Sequence, residues 1–243
     1  MQQVNSMLGN LSCGANPEIG RLLKKLRADE DGYDTELRSL DREKLVFPVQ
    51  MSSFNGETKV DAFSRDLSGS GLGLITPQPF DAGTEMQIQL QLPDTTHTCR
   101  ARCCWNSRFG ESYWSSGWEV ETGDQLDLDS IRNSDTRIVY DARTTEREKF
   151  AVPVIVHQKG KQPQIHAFTT NLSGSGANLV VGQKIRENTW CMLGFVPTDG
   201  QNCSVIAECI WSREYGNSYW TVGWKFPRLD RIAKFHATCF DCE

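Results

Sequence analysis

The feature that most constrains this chain is that it contains itself twice. Arg42-Glu43-Lys44 reappears 105 positions later as Arg147-Glu148-Lys149, and Pro48-Val49 returns as Pro153-Val154 at the same step. The five-residue run Leu67-Ser68-Gly69-Ser70-Gly71 returns as Leu172-Ser173-Gly174-Ser175-Gly176, again 105 positions on. Trp105, Gly110, Tyr113-Trp114 and Gly117-Trp118 then recur as Trp211, Gly216, Tyr219-Trp220 and Gly223-Trp224 at a step of 106, so the copies differ in length by one residue. Six of the seven tryptophans pair in this way, and only Trp190 stands alone. This is a duplication, and each copy must be read as a folding unit of its own.

The copies lie near 41–121 and 146–227 in a chain of 243 residues, which suits two compact domains. The expected organisation is an N-terminal segment with a short helix (1–40), a first barrel (41–121), a linker (122–145), and a second barrel with a closing helix (146–243). Ile19, Leu22, Leu23 and Leu26 recur at helical spacing behind Asn16-Pro17, a cap and first-turn signal. Leu229, Ile232, Ala233 and His236 suggest the closing helix. The acidic stretch Thr122 to Thr145 reads as the linker, with a short strand at Arg137–Tyr140.

Inside each copy the period is two. Leu45, Phe47, Val49 and Met51 alternate with other positions, as do Phe150, Val152, Val154 and Val156, the pattern of a half-buried strand. By that alternation Val46 and Ala151 face away from the core. Met86, Ile88, Leu90 and Leu92 are separated by Gln87, Gln89 and Gln91, an inside–outside strand. Cys99, Ala101, Cys103 and Trp105 share one face, matched by Val205, Ala207, Cys209 and Trp211. Many short strands punctuated by Gly, Pro and Asn predict an all-β chain of two tandem small antiparallel β-barrels, with short N- and C-terminal helices. The cysteines and tryptophans on these faces are expected to be packing residues before anything else.

The net charge of −5 argues against a general nucleic-acid binder, although a few local arginines suffice for a small anion. No stretch approaches the roughly 18 apolar residues of a membrane span. Met1 to Gly14 lacks a basic flank ahead of its apolar residues and does not read as a secretory signal. Nine cysteines, an odd number without framework spacing, imply reduced thiols and a cytoplasmic location. The four histidines are unmatched between the copies, and no nucleophile, base and orienting group recur together, so the expectation is no enzyme and no catalytic residues. Cys239 and Cys242, with His236 three residues earlier, have a spacing that metals accept, but structural zinc wants four ligands and no metal site is predicted.

What recurs in both copies is an arginine before the first strand (Arg42, Arg147) and a polar glycine turn after the second. The turn reads Asp66-Leu67-Ser68-Gly69-Ser70-Gly71 and then Asn171-Leu172-Ser173-Gly174-Ser175-Gly176. An arginine, a [D/N]xSxxG turn and a Gly-x-x-Phe strand end, here Gly223-Trp224-Lys225-Phe226 and more loosely Gly117-Trp118-Glu119-Val120, together resemble the PilZ domain family over about two-thirds of the chain. The resemblance implies six-stranded β-barrels and a ligand, cyclic di-GMP, a bacterial second messenger. It places ligand contacts at Arg42, Asp66, Ser68 and Gly71, and at Arg147, Asn171, Ser173 and Gly176, with Arg38 and Arg143 as candidate further contacts upstream.

The physics of those residue types fits. Guanine shows O6 and N7 acceptors that one guanidinium grips in a bidentate way, and phosphates suit the same fork. A carboxylate or amide accepts from the guanine edge, a serine hydroxyl adds a contact, and glycine lets backbone approach closely. Equally, Gly, Ser, Asp and Asn are what a tight connection between strands requires with no ligand at all.

One departure matters. The family's arginine motif is RxxxR, yet four residues after Arg42 stands Val46, and four after Arg147 stands Ala151. A hydrogen bond to a charged group contributes about 1.5–3 kcal/mol, so a missing arginine weakens binding about tenfold to several hundredfold. Arg38 and Arg143 restore the spacing one step upstream. Extended, four residues span about 13 Å; helical, they rise only about 6 Å, close enough to substitute. The chain is therefore expected to be a non-enzymatic cyclic di-GMP receptor acting on an unidentified downstream protein. The alternative is a degenerate pair that binds no nucleotide and serves as a protein-interaction module.

Overall fold

The computed structural model describes residues 16–31, 42–110, 112–136, 148–158, 164–197, 202–216 and 218–227. The predicted closing helix, the strand at Arg137–Tyr140 and the Cys239/Cys242 pair lie outside them.

Helix α1 (Pro17–Asp31) begins where the cap predicts, with the Asn16 Oδ1 accepting from the Glu18 N–H at 3.0 Å. The first repeat then supplies β1 (Pro48–Ser52), β2 (Lys59–Ser68), β3 (Gly71–Thr76), β4 (Glu85–Gln91), β5 (Thr96–Phe109) and β6 (Tyr113–Val120). A second helix, α2 (Leu128–Thr136), lies within the segment expected to be a linker, with Asp127 Oδ1 accepting from the Ser130 N–H at 3.2 Å. The second repeat repeats the set: β7 (Pro153–Gln158), β8 (Ile165–Ser173), β9 (Gly176–Val181), β10 (Trp190–Phe195), β11 (Cys203–Gly216) and β12 (Tyr219–Lys225).

Both sheets close on themselves, in the order β1-β2-β3-β6-β5-β4 and its equivalent β7-β8-β9-β12-β11-β10, with every pairing antiparallel. Closure removes the exposed edges a small sheet would otherwise carry. The alternation in β4 is as read: Met86, Ile88 and Leu90 are buried in the first core with Leu72, Leu74 and Trp118.

The alternation holds in one further place without exposing the residues it turns outward, and fails in another. The first strand of each barrel begins only at Pro48 and Pro153; ahead of them Leu45, Phe47, Phe150 and Val152 still enter the cores while Val46 and Ala151 stay out of them, yet both are buried, at 6% and 9% exposure. Their segments are not strands but lead-ins clamped by a hydroxyl. Ser64 Oγ accepts from the Phe47 N–H (2.8 Å) and donates to the Leu45 carbonyl (2.7 Å). Thr169 Oγ1 does the same for the Val152 N–H (2.9 Å) and the Phe150 carbonyl. Such buried hydroxyls satisfy backbone groups that no ladder reaches. The failure is a bulge between Cys103 and Trp105, repeated between Cys209 and Trp211, which throws each tryptophan out of the core. Trp118 and Trp224 fill the barrels instead, at 1% exposure.

The barrels meet across a near-symmetric apolar contact. Phe63 stacks on its own equivalent, Phe168, with ring centroids 3.9 Å apart, and each phenylalanine is edge-on to the other copy's tyrosine: Phe63 to Tyr219 at 6.3 Å, Phe168 to Tyr113 at 5.5 Å. Ile75, Val180 and Phe109 complete the cluster. It has the form of an isologous dimer interface, drawn within one chain.

Candidate functional site

The first repeat brings its predicted arginine and turn together. A backbone pair sets the approach: the Glu43 N–H donates to the Leu67 carbonyl and the Leu67 N–H to the Glu43 carbonyl, both at 2.8 Å. Arg42 thereby enters beside the glycine turn, its Nη2 only 3.0 Å from where a Cβ on Gly71 would stand. Its Nη1 donates to Asp66 Oδ1 at 2.5 Å.

A second guanidinium reaches the same carboxylate. β2 carries a bulge between Ser64 and Asp66, and Arg65 is its extra residue. Arg65 Nε donates to Asp66 Oδ2 at 2.6 Å and its Nη1 to Ser115 Oγ at 2.6 Å, while its guanidinium carbon lies 5.8 Å from the Trp105 ring centroid. Burial alone would push the Asp66 carboxyl up, but the Arg65 charge and the Arg42 hydrogen bond and charge together outweigh it and hold the carboxyl below its usual range.

Two glycines make the room. Gly73 is paired with Asp66 across β2 and β3, and a Cβ there would lie 2.6 Å from Asp66 Oδ2. Gly117 lies under the indole of Trp105, whose Nε1 would be 2.1 Å from an added Cβ. The displaced tryptophan is thus seated flat on the barrel wall, next to Arg65, rather than loose in solvent.

Ser68 is drawn into the turn itself. It is 3% exposed and its hydroxyl donates to the Gly71 carbonyl at 3.4 Å; Ser173, also 3% exposed, donates to the Gly176 carbonyl at 3.1 Å. In this state both serines brace the turn, the structural role the residue types alone would suggest.

The second repeat has the same frame and a different filling. Glu148 and Leu172 exchange backbone hydrogen bonds at 2.9 and 2.8 Å. Asp66 is replaced by Asn171, Arg65 by Thr170, and Gly73 by Asn178, which is 3% exposed and paired with Asn171. The space that Gly73 leaves to a carboxylate is here occupied by an amide side chain. Arg38, Arg143 and Arg147 lie outside the described residues. Arg65, Trp105 and Gly73 were missed in the sequence because only the strand register brings them to Asp66.

The described residues form no helix long and apolar enough to cross a membrane, and no cluster of three or more His, Cys, Asp or Glu placed to hold a metal ion.

Comparison with known proteins identifies the repeat. The family model of the PilZ domain matches residues 36–140 and again 141–239. Among solved structures, the chain is similar to Borreliella burgdorferi PlzA in complex with c-di-GMP, at 14% identity over 90% of this chain and 98% of that one, with a TM-score of 0.29. It is similar to Escherichia coli YcgR in complex with c-di-GMP at 13% identity, over 92% and 95% of the two chains, with a TM-score of 0.30. The K. pneumonia MrkH–c-di-GMP complex matches at 9% identity over 93% and 92%, with a TM-score of 0.30. No curated protein sequence matches.

Proposed function

Because this chain belongs to the PilZ domain family, with one family match in each repeat, we propose that it is a non-enzymatic receptor for cyclic di-GMP, with the first repeat as its charged binding site. The observation that carries the reading is the convergence of Arg42 and Arg65 on the Asp66 carboxylate beside the Gly71 turn. A carboxylate held between two guanidiniums marks a place where an anion is already accommodated, and a phosphate of the ligand has the same fork geometry to offer. Asp66, released from the arginines, accepts from the guanine edge. Arg65 supplies the second guanidinium that Val46 does not, from β2 rather than from the lead-in. This answers the departure from RxxxR in the first repeat. Trp105 adds a flat apolar face beside it.

The second repeat has neither Arg65 nor the aspartate, and Asn178 fills the matching space. That observation favours a second role for this half, a neutral barrel whose contribution is its contact with the first and with a downstream protein.

Calorimetric titration of the full chain with cyclic di-GMP tests the reading. Saturable heat is expected, weakened at least tenfold by Arg42→Ala and by Arg65→Thr, the residue found in the second repeat. No heat at tens of micromolar ligand with folded protein would end the nucleotide reading and leave the interaction module.

A further inference from the structure

Each barrel carries on its outside a tryptophan that the period of two would put inside. The bulge that turns it out occurs in both repeats, and so does a glycine beneath the ring. An added Cβ on Gly117 would lie 2.1 Å from Trp105 Nε1, and one on Gly223 would lie 2.2 Å from Trp211 Nε1. A side chain at either position would lift the indole off the wall, so the glycines hold one face of each ring against main chain. This seat belongs to the fold. What differs between the repeats is the other face of the ring.

At Trp211 that face is shared with a cation. Arg213 lies two residues further along β11, on the same side of the strand, and its guanidinium carbon is 5.4 Å from the ring centroid. The ring is half-buried. The equivalent of Arg213 in the first repeat is Ser107, too short to reach over Trp105. Arg65 does come near, but its Nε is tied to Asp66 and its Nη1 to Ser115, and with both bonds in place Trp105 remains 37% exposed. The other six tryptophans are half-buried or buried.

The open face stands at one end of a row of cross-strand partners. Asp66 on β2 pairs with Gly73 on β3, Gly73 with Gly117 on β6, and Gly117 with Trp105 on β5. The Asp66 carboxylate lies over the first glycine and the indole over the second, so one strand spacing, about 4.8 Å, separates them. In the second repeat the same row reads Asn171, Asn178, Gly223 and Trp211, with a side chain in its middle. An open aromatic face beside a carboxylate suits a planar ring that carries hydrogen-bond donors on one edge, as guanine does with N1–H and N2–H.

We propose that Trp105 is the base platform of the first repeat: one guanine of the ligand stacks on its outer face while the edge of that base meets Asp66. Gly117 is a positioning residue that keeps the indole low enough for both contacts. The inference rests on the receptor reading above and adds a contact that the reading itself does not require. It also accounts for the pattern of differences between the repeats. Thr170 and Asn178 remove the charged half of the site from the second barrel, and Arg213 covers the stacking half.

Calorimetric and fluorescence titrations of the full chain with cyclic di-GMP test the platform. Trp105→Leu should weaken binding about five- to a hundredfold, and Trp105→Phe should stay within about threefold of wild type. A stacked guanine quenches indole emission, so the quench that ligand causes in wild type should be largely missing in Trp105→Phe, although that variant still binds. A tryptophan that only braced the wall would move neither readout. Gly117→Ala should weaken binding while removing no group that touches the ligand. Wild-type affinity in Trp105→Leu, with urea unfolding showing the fold intact, overturns the platform, as does an undiminished quench in Trp105→Phe. Should Trp105→Leu not fold, the quench in Trp105→Phe decides. If the wild-type chain takes up no cyclic di-GMP, the receptor reading falls and takes the platform with it; binding that is indifferent to position 105 removes the platform alone.

Discussion

Replacing Gly73 by alanine puts the local account of the charged cluster to a sharp test. The backbone at Gly73 is not in the left-handed region, so alanine is sterically allowed there and would ordinarily stabilise a strand by about 0.4–1 kcal/mol through the unfolded chain. The added Cβ, however, would lie 2.6 and 2.7 Å from the two Asp66 carboxylate oxygens and 2.8 Å from its Cγ. The carboxylate must retreat by roughly 1 Å to reach ordinary contact distance. It is held at 2.5 Å by Arg42 and 2.6 Å by Arg65, and both bonds stretch if it moves. Overpacking costs about 1–3 kcal/mol, and weakening two charge-assisted bonds in side chains that keep some solvent access adds about 1–2 more. The net expectation is a loss of about 2–4 kcal/mol, or about 5–15 °C in Tm for a chain of this size. Thermal and urea unfolding of Gly73→Ala, Asp66→Ala and the double variant supply the cycle. In the Asp66→Ala background the clash is gone, and Gly73→Ala should be neutral or stabilising. An equal cost in both backgrounds would refute the reasoning, because the strain would then lie in the β3 backbone and not at the carboxylate.

Other expectations follow from the same contacts. Asp66 has its folded pKa held below the unfolded value, so its contribution is complete above the unfolded range and fades as pH falls through the folded one. The stability difference between wild type and Asp66→Asn should therefore shrink below about pH 4, as followed by urea midpoints against pH. Phe63→Ala and Phe168→Ala should each cost about 3–5 kcal/mol, and the double variant clearly less than their sum, since each ring is the other's partner. Burial pushes the Cys99 and Cys209 thiols up to about 12, so among the described cysteines a maleimide at pH 8 should label the exposed Cys104 well before either, as mass spectrometry of the folded protein would show.

The duplication, the barrels and the meeting of Arg42 with the Asp66 turn were legible because they rest on local signals: a fixed repeat step, a period of two, and turn residues. The period carried correctly through Leu45, Phe47, Phe150 and Val152, but the burial of Val46 and Ala151 did not show in it, because their lead-ins follow the hydroxyls of Ser64 and Thr169, not a ladder. Trp105 and Trp211 were put inside because a single extra residue in β5 and β11 reverses the faces beyond it. Arg65 and Gly73 could be assigned only with the register of β2 on β3 in hand. The helix in the linker has only Leu128 and Ile131 as apolar positions, with Leu126 just before it, too few to set a period. Its docking on the barrel before it, rather than the one it leads into, leaves no trace in periodicity at all.

The stacked pair Phe63 and Phe168 has a consequence for how such a protein can change. In an assembly of two identical subunits, any substitution appears twice, and a contact on the symmetry axis meets its own copy. Here the two partners are encoded separately, so one half can fill its cavity with Asn178 while the other keeps an open seat for Asp66. Joining the halves covalently keeps the shared contact and frees each barrel to specialise, one towards charge and the other towards neutrality.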